Sequence, residues 1–452
     1  MTATAEDVRR SYARDASGMT MLPDAVLRPR DEADVVDAIR AAASAGTTIT
    51  VAGAQTSTTG ASITDRGALM SLRALDARVR VDPVARTVRA SCGVIVADLR
   101  RACAEQGLLF TPDPTSDESC TVGGAVACNA SGARSFAYGA TRPHVAALRV
   151  ALADGRVEEY RRPRIGKNTA GYLPVQDPVD WFIGSEGTLG VVLEAEFSLL
   201  PLPARTTGLA VPFRREADAL GFVLAAREDP AVRPVCLEYT DAEATGFMRR
   251  AADDEGWARG AAAMVYVEDS GDSPEAPLDD WLSFIESHGG LADDLRVFEG
   301  DAALREARRL RHAVPSAMHE RAAPFLAKGG RRVSTDWAVP VRHMSDALDA
   351  SRRAADARGI EHAVTYGHVG DGHPHQNWVA RDPDELAARE GCVEDTLREV
   401  LARGGTVAAE HGIGKLKKRW LPLQLGERQF SMMRAMKHAL DPQGLLAPGN
   451  LW

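Results

Sequence analysis

The sequence predicts an α+β protein with two domains and a C-terminal segment, and three observations support this fold class. The chain has 452 residues, which exceeds what one hydrophobic core usually serves. Strand patterns and amphipathic helix patterns both occur along its length. The residue pattern changes after Pro203: glycine-rich loops precede this position, and polar helix and strand patterns follow it. We therefore expect domains at residues 1–205 and 206–410, with residues 411–452 packing back on the first domain.

The first half predicts alternating helices and strands. Residues 31–45 begin with acids and carry apolar residues at helical spacing before Gly46, which indicates a helix that leads into a strand at 47–51. The Asp154-Gly155 dipeptide between two apolar stretches indicates a hairpin over 145–160. We also expect strands at 79–81 and 87–90, a helix at 96–106, and a long strand within 181–200 that prolines close.

The second half combines strands with polar amphipathic helices. A strand is expected at 261–267, and helices are expected at 301–312 and 341–358. The run Val369-Gly370-Asp371-Gly372 indicates a tight turn. The last fifty residues contain a helical pattern at 427–440.

Composition and charge exclude several classes of protein. Hydrophobic residues make up 45% and charged residues 26% of the chain, as in ordinary soluble globular proteins. The net charge of -9 argues against nucleic acid as a partner, because phosphate binding needs a basic face. The N-terminal stretch has no apolar core of the sort a secretory signal requires, and the sequence has no apolar run of about 18 residues. We therefore expect a cytoplasmic protein, at most peripheral to a membrane.

The cysteines indicate buried small apolar residues. No C-x-x-C pair occurs, which argues against an iron-sulfur cluster, a zinc knuckle or a disulfide framework. The six positions are Cys92, Cys103, Cys120, Cys128, Cys236 and Cys392.

Four loop clusters in the first 200 residues are rich in glycine, serine and threonine. Each could serve turns alone, but four together, separated by strands, favour a nucleotide site, since a pyrophosphate needs close backbone approach and N–H or hydroxyl donors. None matches G-x-G-x-x-G at the start of a helix, so a nicotinamide-type Rossmann site is not supported. The clusters lie at 52–60, 112–132, 136–142 and 184–190.

Histidines cluster at 365–378, TYGHVGDGHPHQNW. A hairpin would set His368 against His373 or His375, and these last two would share one face of a strand. Such pairs are often unremarkable core or surface residues, but close neutral imidazoles are favourable when they bind a divalent metal. Glu410 and His411 follow the apolar run 406–409, at what resembles the end of a strand. They offer a further ligand for the metal.

The order of these motifs resembles a known family. The loop at 52–60, the PDP…TVGG…N-x-SG…YG block, GSEGTLG and the closing DP…PGN resemble the vanillyl-alcohol oxidase and p-cresol methylhydroxylase superfamily. YGHVGDGHPHQN and AAEHGIGK narrow the resemblance to the branch of D-lactate dehydrogenases, the glycolate oxidase flavin subunit and D-2-hydroxyglutarate dehydrogenases. The resemblance implies a flavoprotein with a PCMH-type FAD-binding domain and an α+β substrate (cap) domain over an antiparallel sheet.

The resemblance also implies which residues bind FAD. No histidine lies in the loop at 52–60, so we expect FAD to be held without a covalent bond there. The loop reads AGAQTSTTG where relatives often have a glycine core, so Ala54 and Gln55 leave less room for the phosphates. The implied cofactor residues are Gly53, Ala54, Thr56, Ser57, Thr58, Gly60, Pro112, Gly123, Gly124, Asn129, Ser131, Gly132, Gly187, Val191 and Asn450.

In the second half the resemblance implies a metal-assisted catalytic site. His368, His375 and Glu410 would hold a divalent ion, zinc or manganese, and His411 would be the catalytic base. Relatives usually have asparagine at the position of His373, so His373 either replaces a substrate contact or exchanges the ligand role with His375.

Substrate contacts follow from the same resemblance. Asn377 would contact the substrate, and Arg311, in the run RRLRHAVPSAM, would bind its carboxylate with a planar guanidinium. A solvated helix face is the simpler interpretation of this arginine-rich run. Arg332 or Lys328 could add a second charge.

These features predict FAD-dependent oxidation of a small D-2-hydroxy acid, such as D-lactate or glycolate, to the 2-oxo acid. Hydride would leave for flavin N5 while His411 removes the hydroxyl proton. A quinone, a cytochrome or an electron-transfer flavoprotein would accept the electrons. Two other classes stay open at this point: a non-catalytic flavin-binding subunit of a larger complex, and a metal-dependent hydrolase whose glycine loops are only turns.

Overall fold

The computed structural model describes residues 2–163, 165–273, 275 and 277–452. The chain forms two compact units. The first comprises Met1–Gly132, Gly139–Leu202 and Glu410–Trp452, and the second comprises Ala133–Tyr138 and Pro203–Ala409. Both units combine helices with sheets, which confirms the predicted α+β class.

A four-stranded sheet opens the first unit. The expected strand near 47–51 is Ile49–Ala52, and it pairs in parallel with Ala68–Ser71. The C-terminal tail adds to its free edge, since the Ile49 N–H donates to the Leu445 carbonyl at 2.8 Å. The sheet order is Thr2–Ala3, Ala25–Leu27, Ala68–Ser71, Ile49–Ala52.

A five-stranded antiparallel sheet forms the centre of the first unit. The predicted hairpin is confirmed, because Val145–Ala151 pairs antiparallel with Val157–Arg161 around the Asp154-Gly155 turn. Its buried side chains, among them Val88, Leu148 and Phe197, contribute to the hydrophobic core of the unit. The sheet order is Val79–Asp82, Thr87–Ser91, Val191–Ser198, Val145–Ala151, Val157–Arg161. A short ladder joins Leu108–Leu109 to Leu200–Pro201.

The helices of the first unit include three that the sequence predicted. Glu32–Ala45 is capped by Asp31, whose side chain accepts a hydrogen bond from the Asp34 N–H, and Gly46 ends it in the left-handed region. Val96–Ala104 and Glu427–Leu440 are the other two. The remaining helices are Glu6–Ser11, Val122–Cys128, Leu173–Gln176, Val179–Phe182 and Leu421–Gln424, with 3-10 turns at Leu72–Ala74 and Arg142–His144.

One expected strand of this unit is shorter than predicted. The expectation of a long strand within 181–200 is wrong for its first half, where Val179–Phe182 is helical and the strand begins only at Val191. Gly184, Glu186 and Gly187 have φ of 78°, 52° and 73°. A strand cannot accommodate such angles, and they make the intervening segment a loop.

The second unit contains a seven-stranded sheet in which all recorded strand pairs are antiparallel. The strand expected at 261–267 is Ala263–Gly271. The turn at 369–372 is confirmed as the connection of a hairpin between Val364–His368 and His373–Ala380. The sheet order is Arg296–Glu299, Arg205–Phe213, Ala263–Gly271, Pro234–Asp241, Val364–His368, His373–Ala380, Arg331–Ser334.

Two helices of the second unit differ from their predicted bounds. The helix expected at 301–312 runs over Gly300–Ala322 and continues through Pro315. Its buried residues recur beyond the proline, at Met318 and Ala322, so burial of this face outweighs the cost of proline in a helix. The helix expected at 341–358 begins as a 3-10 turn and is α-helical over Met344–Asp356. The other helices are Ser135–Tyr138, Glu216–Glu228, Ala242–Ala251, Leu278–Ser287 and Pro383–Ala402, with 3-10 turns at Ala292–Asp294 and Ala323–Lys328.

The strand end expected at 406–409 is wrong. Only Thr406 forms a bridge, to Ala338, through paired backbone hydrogen bonds of 2.9 and 3.2 Å. The Ala409 N–H donates to the Asp336 carbonyl at 2.8 Å, so the segment is still tied to the second unit. Arg403 and Gly404 form a turn just before the apolar run.

Five of the six cysteines are buried and Cys128 is half-buried, which confirms their expected character as small core residues. Among the described residues, no helix combines the length and the apolar character needed to cross a membrane.

Charged side chains cross-link three strands on one face of the five-stranded sheet. Arg161 donates to both carboxylate oxygens of Glu196, at 2.7 and 2.8 Å. Arg89 donates to the same residue at 3.1 Å and to Glu194 at 3.0 Å. The hydrogen bonds from Arg161, opposed by partial burial, lower the pKa of Glu196 to about 2.

This pKa predicts an acid-sensitive contribution of Glu196 to stability. Because the folded-state pKa of about 2 lies below the usual 4.5, the contribution is present above about pH 4.5 and is lost as the pH falls towards 2. We expect Glu196→Gln to lower the thermal midpoint at pH 7, and the difference from wild type to shrink below pH 4.5. Glu118→Gln, at an exposed position, is the control; a pH-independent difference for Glu196→Gln would contradict this account.

Candidate flavin and metal sites

Three of the glycine-rich loops meet in the first unit. The helix Val122–Cys128 is capped by Thr121, and Asn129 ends it with φ of 50°. Its last carbonyls accept hydrogen bonds from the loop at 184–190, since the Gly184 N–H donates to Val126 at 3.0 Å and the Glu186 N–H to Ala127 at 2.8 Å. The Asn129 side chain in turn accepts the Arg142 N–H at 2.9 Å. The loops at 112–132, 139–142 and 184–190 therefore form one continuous surface.

The loop at 52–60 is fixed by the C-terminal segment. The Thr59 carbonyl accepts the N–H groups of Lys415 and Leu416 at 2.9 and 3.0 Å. Asn450 is buried, and its amide donates to the carbonyls of Ala61 at 2.9 Å and Glu186 at 3.2 Å. Asn450 therefore joins two glycine-rich loops. This gives a structural role to the asparagine of the closing PGN motif.

The residues expected to bind FAD differ in exposure. Gly53 to Thr58 are half-buried, as are Gly123, Gly124, Asn129 and Ser131, and a ligand can reach such residues. Pro112, Gly132, Gly187, Val191 and Asn450 are buried within the protein. The Gln55 side chain, which we expected to narrow the loop, donates to the carbonyls of Tyr12 and Arg14 at 2.9 and 3.0 Å.

The chemistry of these loops suits a diphosphate. The one buried carboxylate among them, Glu186, accepts hydrogen bonds from the N–H groups of Ile413 and Gly414 at 2.6 and 2.8 Å, so its oxygens already have protein donors. Burial raises the pKa of Glu186 against the effect of these two donors. The loop at 136–142 is divided, because Ser135–Tyr138 packs on the strand Pro234–Asp241 of the second unit while 139–142 belongs to the first. Phe136 and its neighbours are thus less suited to the cofactor than the other three clusters.

Several of these glycines are required by protein packing. A Cβ atom at Gly132 would overlap the Asp113 carbonyl, and one at Gly53 would overlap the Thr121 hydroxyl. At Gly123 it would lie 2.7 Å from the Cys92 side chain. Close packing of the loops on each other thus explains glycine at these positions before any ligand is considered.

This packing predicts that Gly132→Ala destabilises the protein even without cofactor. Overlap with the Asp113 carbonyl should cost about 1–3 kcal/mol, seen as a lower thermal midpoint of the FAD-free and FAD-loaded forms alike. Gly166→Ala, where a Cβ atom meets open space, should leave the midpoint nearly unchanged. A loss confined to the FAD-loaded form would mean that Gly132 serves the cofactor and not the packing.

The second candidate site is a group of histidines in the second unit. The hairpin register places His368 opposite His373 and Tyr366 opposite His375. All three histidines are buried, and their ring centroids lie 4.5 to 5.5 Å apart. Glu410, which directly follows Ala409 at the end of this unit, completes a group whose ligand atoms all lie within 4.8 Å of one another. Imidazole nitrogens and a carboxylate at this spacing suit a divalent transition metal.

A buried carboxylate orients one member of this group. Glu238, 3% exposed, contacts Nδ1 of His368 with one oxygen and accepts a hydrogen bond from Nε of Arg311 at 2.9 Å with the other. Burial favours the neutral acid, but His368 and Arg311 outweigh it and lower the pKa of Glu238 to about 2. A carboxylate on one ring nitrogen fixes the tautomer, so that Nε2 of His368 carries the lone pair that a metal needs.

A second buried carboxylate lies beside His373. Oδ1 of Asp336 is 3.1 Å from Nε2 of His373, and both side chains are almost fully buried. Asp371, in the turn of the hairpin, has a pKa raised to about 6 by burial, against the influence of His368 and His373. Acidic groups therefore approach the histidines from two further segments.

The predicted substrate residues occupy the same face of the sheet. Arg311 lies on the helix Gly300–Ala322, and its guanidinium also lies over the ring of Tyr366 at 5.4 Å. Burial lowers the pKa of Arg332, against the opposing influence of the neighbouring Tyr366. No described carboxylate lies within ion-pair distance of Arg332, which leaves its charge without a counterion. Lys328 is exposed, so of the two additional cations considered, only Arg332 is placed towards the sheet.

Asn377 has an unsatisfied buried amide. It is 1% exposed, and neither its Nδ2 nor its Oδ1 has a hydrogen-bond partner among the described residues. It follows His373 and His375 at a spacing of two along His373–Ala380, which places all three on one face of the strand. A buried amide without partners is costly, and a bound polar ligand would satisfy it.

This observation predicts opposite effects of Asn377→Leu on stability and on activity. Removal of an unsatisfied buried amide should raise the stability of the substrate-free protein, by up to about 1–3 kcal/mol, while substrate turnover falls. Gln376→Met is the matched control, since the Gln376 side chain accepts a hydrogen bond from Trp337 and its loss should destabilise. Thermal midpoints without substrate test both, and destabilisation by Asn377→Leu would contradict this view.

Sequence reasoning missed Glu238, Asp336 and Glu186. The signal for Glu238 is a single acid within the apolar strand Pro234–Asp241, and that for Asp336 is an acid beside the buried Trp337. Glu186 lies within GSEGTLG, where its left-handed backbone could not be read from residue type. Each of these carboxylates has partners from distant parts of the chain.

Comparisons with known proteins agree with this arrangement. Residues 202–451, more than half of the chain, match the family described as FAD linked oxidases, C-terminal domain, and residues 23–161 match the FAD binding domain. The chain belongs to the FAD-linked oxidases. It is therefore an FAD-linked oxidoreductase with a PCMH-type FAD-binding domain, as the sequence predicted.

Curated relatives of this FAD-linked oxidase cover nearly its whole length. It is 29% identical to glycolate oxidase subunit GlcD of Bacillus subtilis (98% of this chain, 92% of the relative). It is 29% identical to D-lactate dehydrogenase of Archaeoglobus fulgidus (94% and 90%). It is 31% identical to D-2-hydroxyglutarate dehydrogenase of Xanthomonas citri pv. viticola (98% and 92%).

Solved structures share the fold. Two crystal forms of alkyldihydroxyacetonephosphate synthase align with a TM-score of 0.72 and 16% identity, over 99% of this chain and 83% of the synthase. At this identity the likeness concerns the fold alone.

Proposed function

We propose that this FAD-linked oxidase oxidises a small 2-hydroxy acid, of the D-lactate, glycolate or D-2-hydroxyglutarate type, to the 2-oxo acid. The observation that carries the proposal is the group formed by three buried histidines, His368, His373 and His375, with the half-buried Glu410. The unsatisfied amide of Asn377 and the cation Arg332 lie on the same sheet as the histidines, and Arg311 lies on the helix Gly300–Ala322. The three relatives described above are named for glycolate, D-lactate and D-2-hydroxyglutarate, and these names favour the same substrate class.

The proposed ligands of the divalent metal, zinc or manganese, are His368, His375 and Glu410. When bound, the metal supplies a Lewis acid that lowers the pKa of the substrate hydroxyl, and non-covalent FAD supplies the hydride acceptor. Glu238 supports the ligand role of His368, because its carboxylate takes the Nδ1 side of the ring.

Arg311 and Asn377 are the proposed substrate-binding residues. A guanidinium binds a carboxylate with two parallel hydrogen bonds, and Glu238 holds the Arg311 side chain through Nε. Because Glu238 also offsets the Arg311 charge, Arg332 is a suitable source of additional positive potential. The two unsatisfied amide atoms of Asn377 can donate to and accept from the substrate.

His411 is the proposed general base, which takes the hydroxyl proton as the C–H bond at the α-carbon breaks. Its backbone is held in place, since the Thr59 hydroxyl donates to the His411 carbonyl at 3.4 Å and Glu186 binds the two N–H groups of Ile413 and Gly414. A fixed backbone limits the positions that the imidazole can reach, which is what proton transfer requires.

The electron acceptor and the location complete the proposal. We assign a quinone, a cytochrome or an electron-transfer flavoprotein as the acceptor class, and a cytoplasmic or membrane-peripheral location, from the motifs shared with the 2-hydroxy acid dehydrogenase branch.

An anaerobic titration tests the function. D- and L-2-hydroxy acids are added in turn to the purified FAD-loaded protein while the visible flavin band is recorded, with and without a metal chelator. We expect one D acid to bleach the band and the chelator to prevent this. A flavin band that no acid bleaches would refute the proposal, and bleaching that survives complete metal removal would refute the role of the metal.

The base is tested separately by His411→Asn. A general base contributes a factor of about 10²–10⁴ to rate, so the rate of flavin reduction should fall by that order while the FAD spectrum and metal content stay normal. His438→Asn, at an exposed position of the C-terminal helix, should reduce flavin at the wild-type rate. A wild-type rate for His411→Asn would assign the base elsewhere.

A further inference from the structure

His373 occupies a position equivalent to the two proposed histidine ligands. It pairs directly with His368 across the hairpin and shares a strand face with His375. Its ring centroid lies 5.5 Å from that of His368 and 4.5 Å from that of His375. All three side chains are at most 6% exposed. Three buried imidazoles so close together repel when protonated and are most stable as neutral ligands of one ion.

His368 and His373 each have a buried carboxylate beside one ring nitrogen, through a hydrogen bond for His368 and at ion-pair distance for His373. Glu238 contacts Nδ1 of His368, and Asp336 lies 3.1 Å from Nε2 of His373. Metal-bound histidines characteristically direct their second ring nitrogen towards a carboxylate or a carbonyl. The carboxylate beside His373 therefore matches the outer contact of a ligand histidine.

We infer that His373 is a third imidazole ligand, so that the protein supplies four metal ligands: His368, His373, His375 and Glu410. Each of the four offers a ligand atom within 4.8 Å of the others. This inference rests on the proposed function for the nature of the substrate and extends it to the metal. Asp336 is then a positioning residue for His373, as Glu238 is for His368.

Four protein ligands restrict which metal can serve the reaction. A tetrahedral zinc ion would be saturated, whereas catalytic zinc sites keep three protein ligands and an open position. A 2-hydroxy acid that chelates through its hydroxyl and carboxylate needs two further positions, which gives six in total. The site therefore favours a metal that accepts six ligands, such as Mn²⁺ or Fe²⁺, over four-coordinate zinc.

X-ray absorption at the metal edge tests the ligand count without any reaction. The FAD-loaded protein is stripped with a chelator, reloaded with Mn²⁺ alone, and its imidazole scattering is measured. We expect three imidazoles in the wild type and two in His373→Asn. Two imidazoles in the wild type would overturn the inference, and so would the same count in both proteins.

Metal affinity provides the second readout, measured by the loss of the free Mn²⁺ signal in electron paramagnetic resonance. His373→Asn should weaken Mn²⁺ binding by more than the roughly 10–100-fold typical of an outer-sphere partner, and Asp336→Asn should weaken it within that range. His362→Asn is the matched control, since His362 is an exposed histidine paired with Asp356, and it should bind as the wild type does. Unchanged Mn²⁺ affinity in His373→Asn would overturn the inference. If His373→Asn does not fold, Asp336→Asn, which keeps all three histidines, still tests it through its own Mn²⁺ affinity.

Metal preference separates this inference from the proposed function. Reloaded wild type should reduce its flavin faster with Mn²⁺ than with Zn²⁺, and His373→Asn should shift that ratio at least 10-fold towards Zn²⁺. Three imidazoles in a protein whose flavin no 2-hydroxy acid reduces would uphold the ligand set and refute the function. Two imidazoles in a protein that oxidises such an acid would uphold the function and refute the ligand set.

Discussion

The register of one hairpin determines the chemistry of the second unit. Val364–His368 pairs with His373–Ala380 so that His368 faces His373 and Tyr366 faces His375. Since side chains alternate along a strand, a slip of one residue would send His373, His375 and Asn377 to the opposite face of the sheet. The tight turn, in which Gly372 has φ of 75° and lies against the Val339 carbonyl, fixes this register. A side chain at Gly372 would overlap that carbonyl, so packing as well as backbone angle requires glycine.

Placing several polar groups on a buried sheet face is costly, and the structure offsets this with paired charges. Glu238 joins His368 to Arg311, and Asp336 lies beside His373. Burial of a charge without a partner would cost far more than these ion pairs do. Arg332 and Asn377 differ from these pairs, because among the described residues the first has no carboxylate beside it and the second has no hydrogen-bond partner. Groups left unsatisfied on a face that is otherwise paired indicate where a polar, anionic ligand binds.

Local patterns in the sequence were sufficient for much of this account. The capped helix Glu32–Ala45, the Asp-Gly hairpin at 145–161 and the turn at 369–372 follow from residue types at fixed spacing, and the structure contains each of them. The helix Gly300–Ala322 was predicted too short, at 301–312, and the buried face that continues beyond Pro315 shows why it extends further. The prediction of one long strand within 181–200 was wrong because Glu186 adopts a left-handed backbone conformation, which cannot be predicted from its residue type.

The candidate site was predictable only in part, because local sequence patterns do not show contacts between distant segments of the chain. His368, His373 and His375 are close in sequence, so a hairpin was enough to bring them together. Glu238, Asp336 and Arg311 come from three other segments, and their contacts depend on the order of strands and on the packing of a helix over the sheet. The glycines at 53, 123 and 132 suggested a ligand, yet their immediate contacts are with protein atoms. Sequence pattern identified the loops, while packing explained the individual residues.

The most direct test of the central claim is the rate of anaerobic flavin reduction by one 2-hydroxy acid and by the same acid deuterated at C2. If hydride leaves the α-carbon in the step that reduces FAD, the deuterated acid should react several-fold more slowly, in the metal-loaded protein only. Equal rates for the two acids with a rapidly bleached flavin would show that C–H cleavage does not limit reduction. Failure of every 2-hydroxy acid to reduce the flavin would contradict the account.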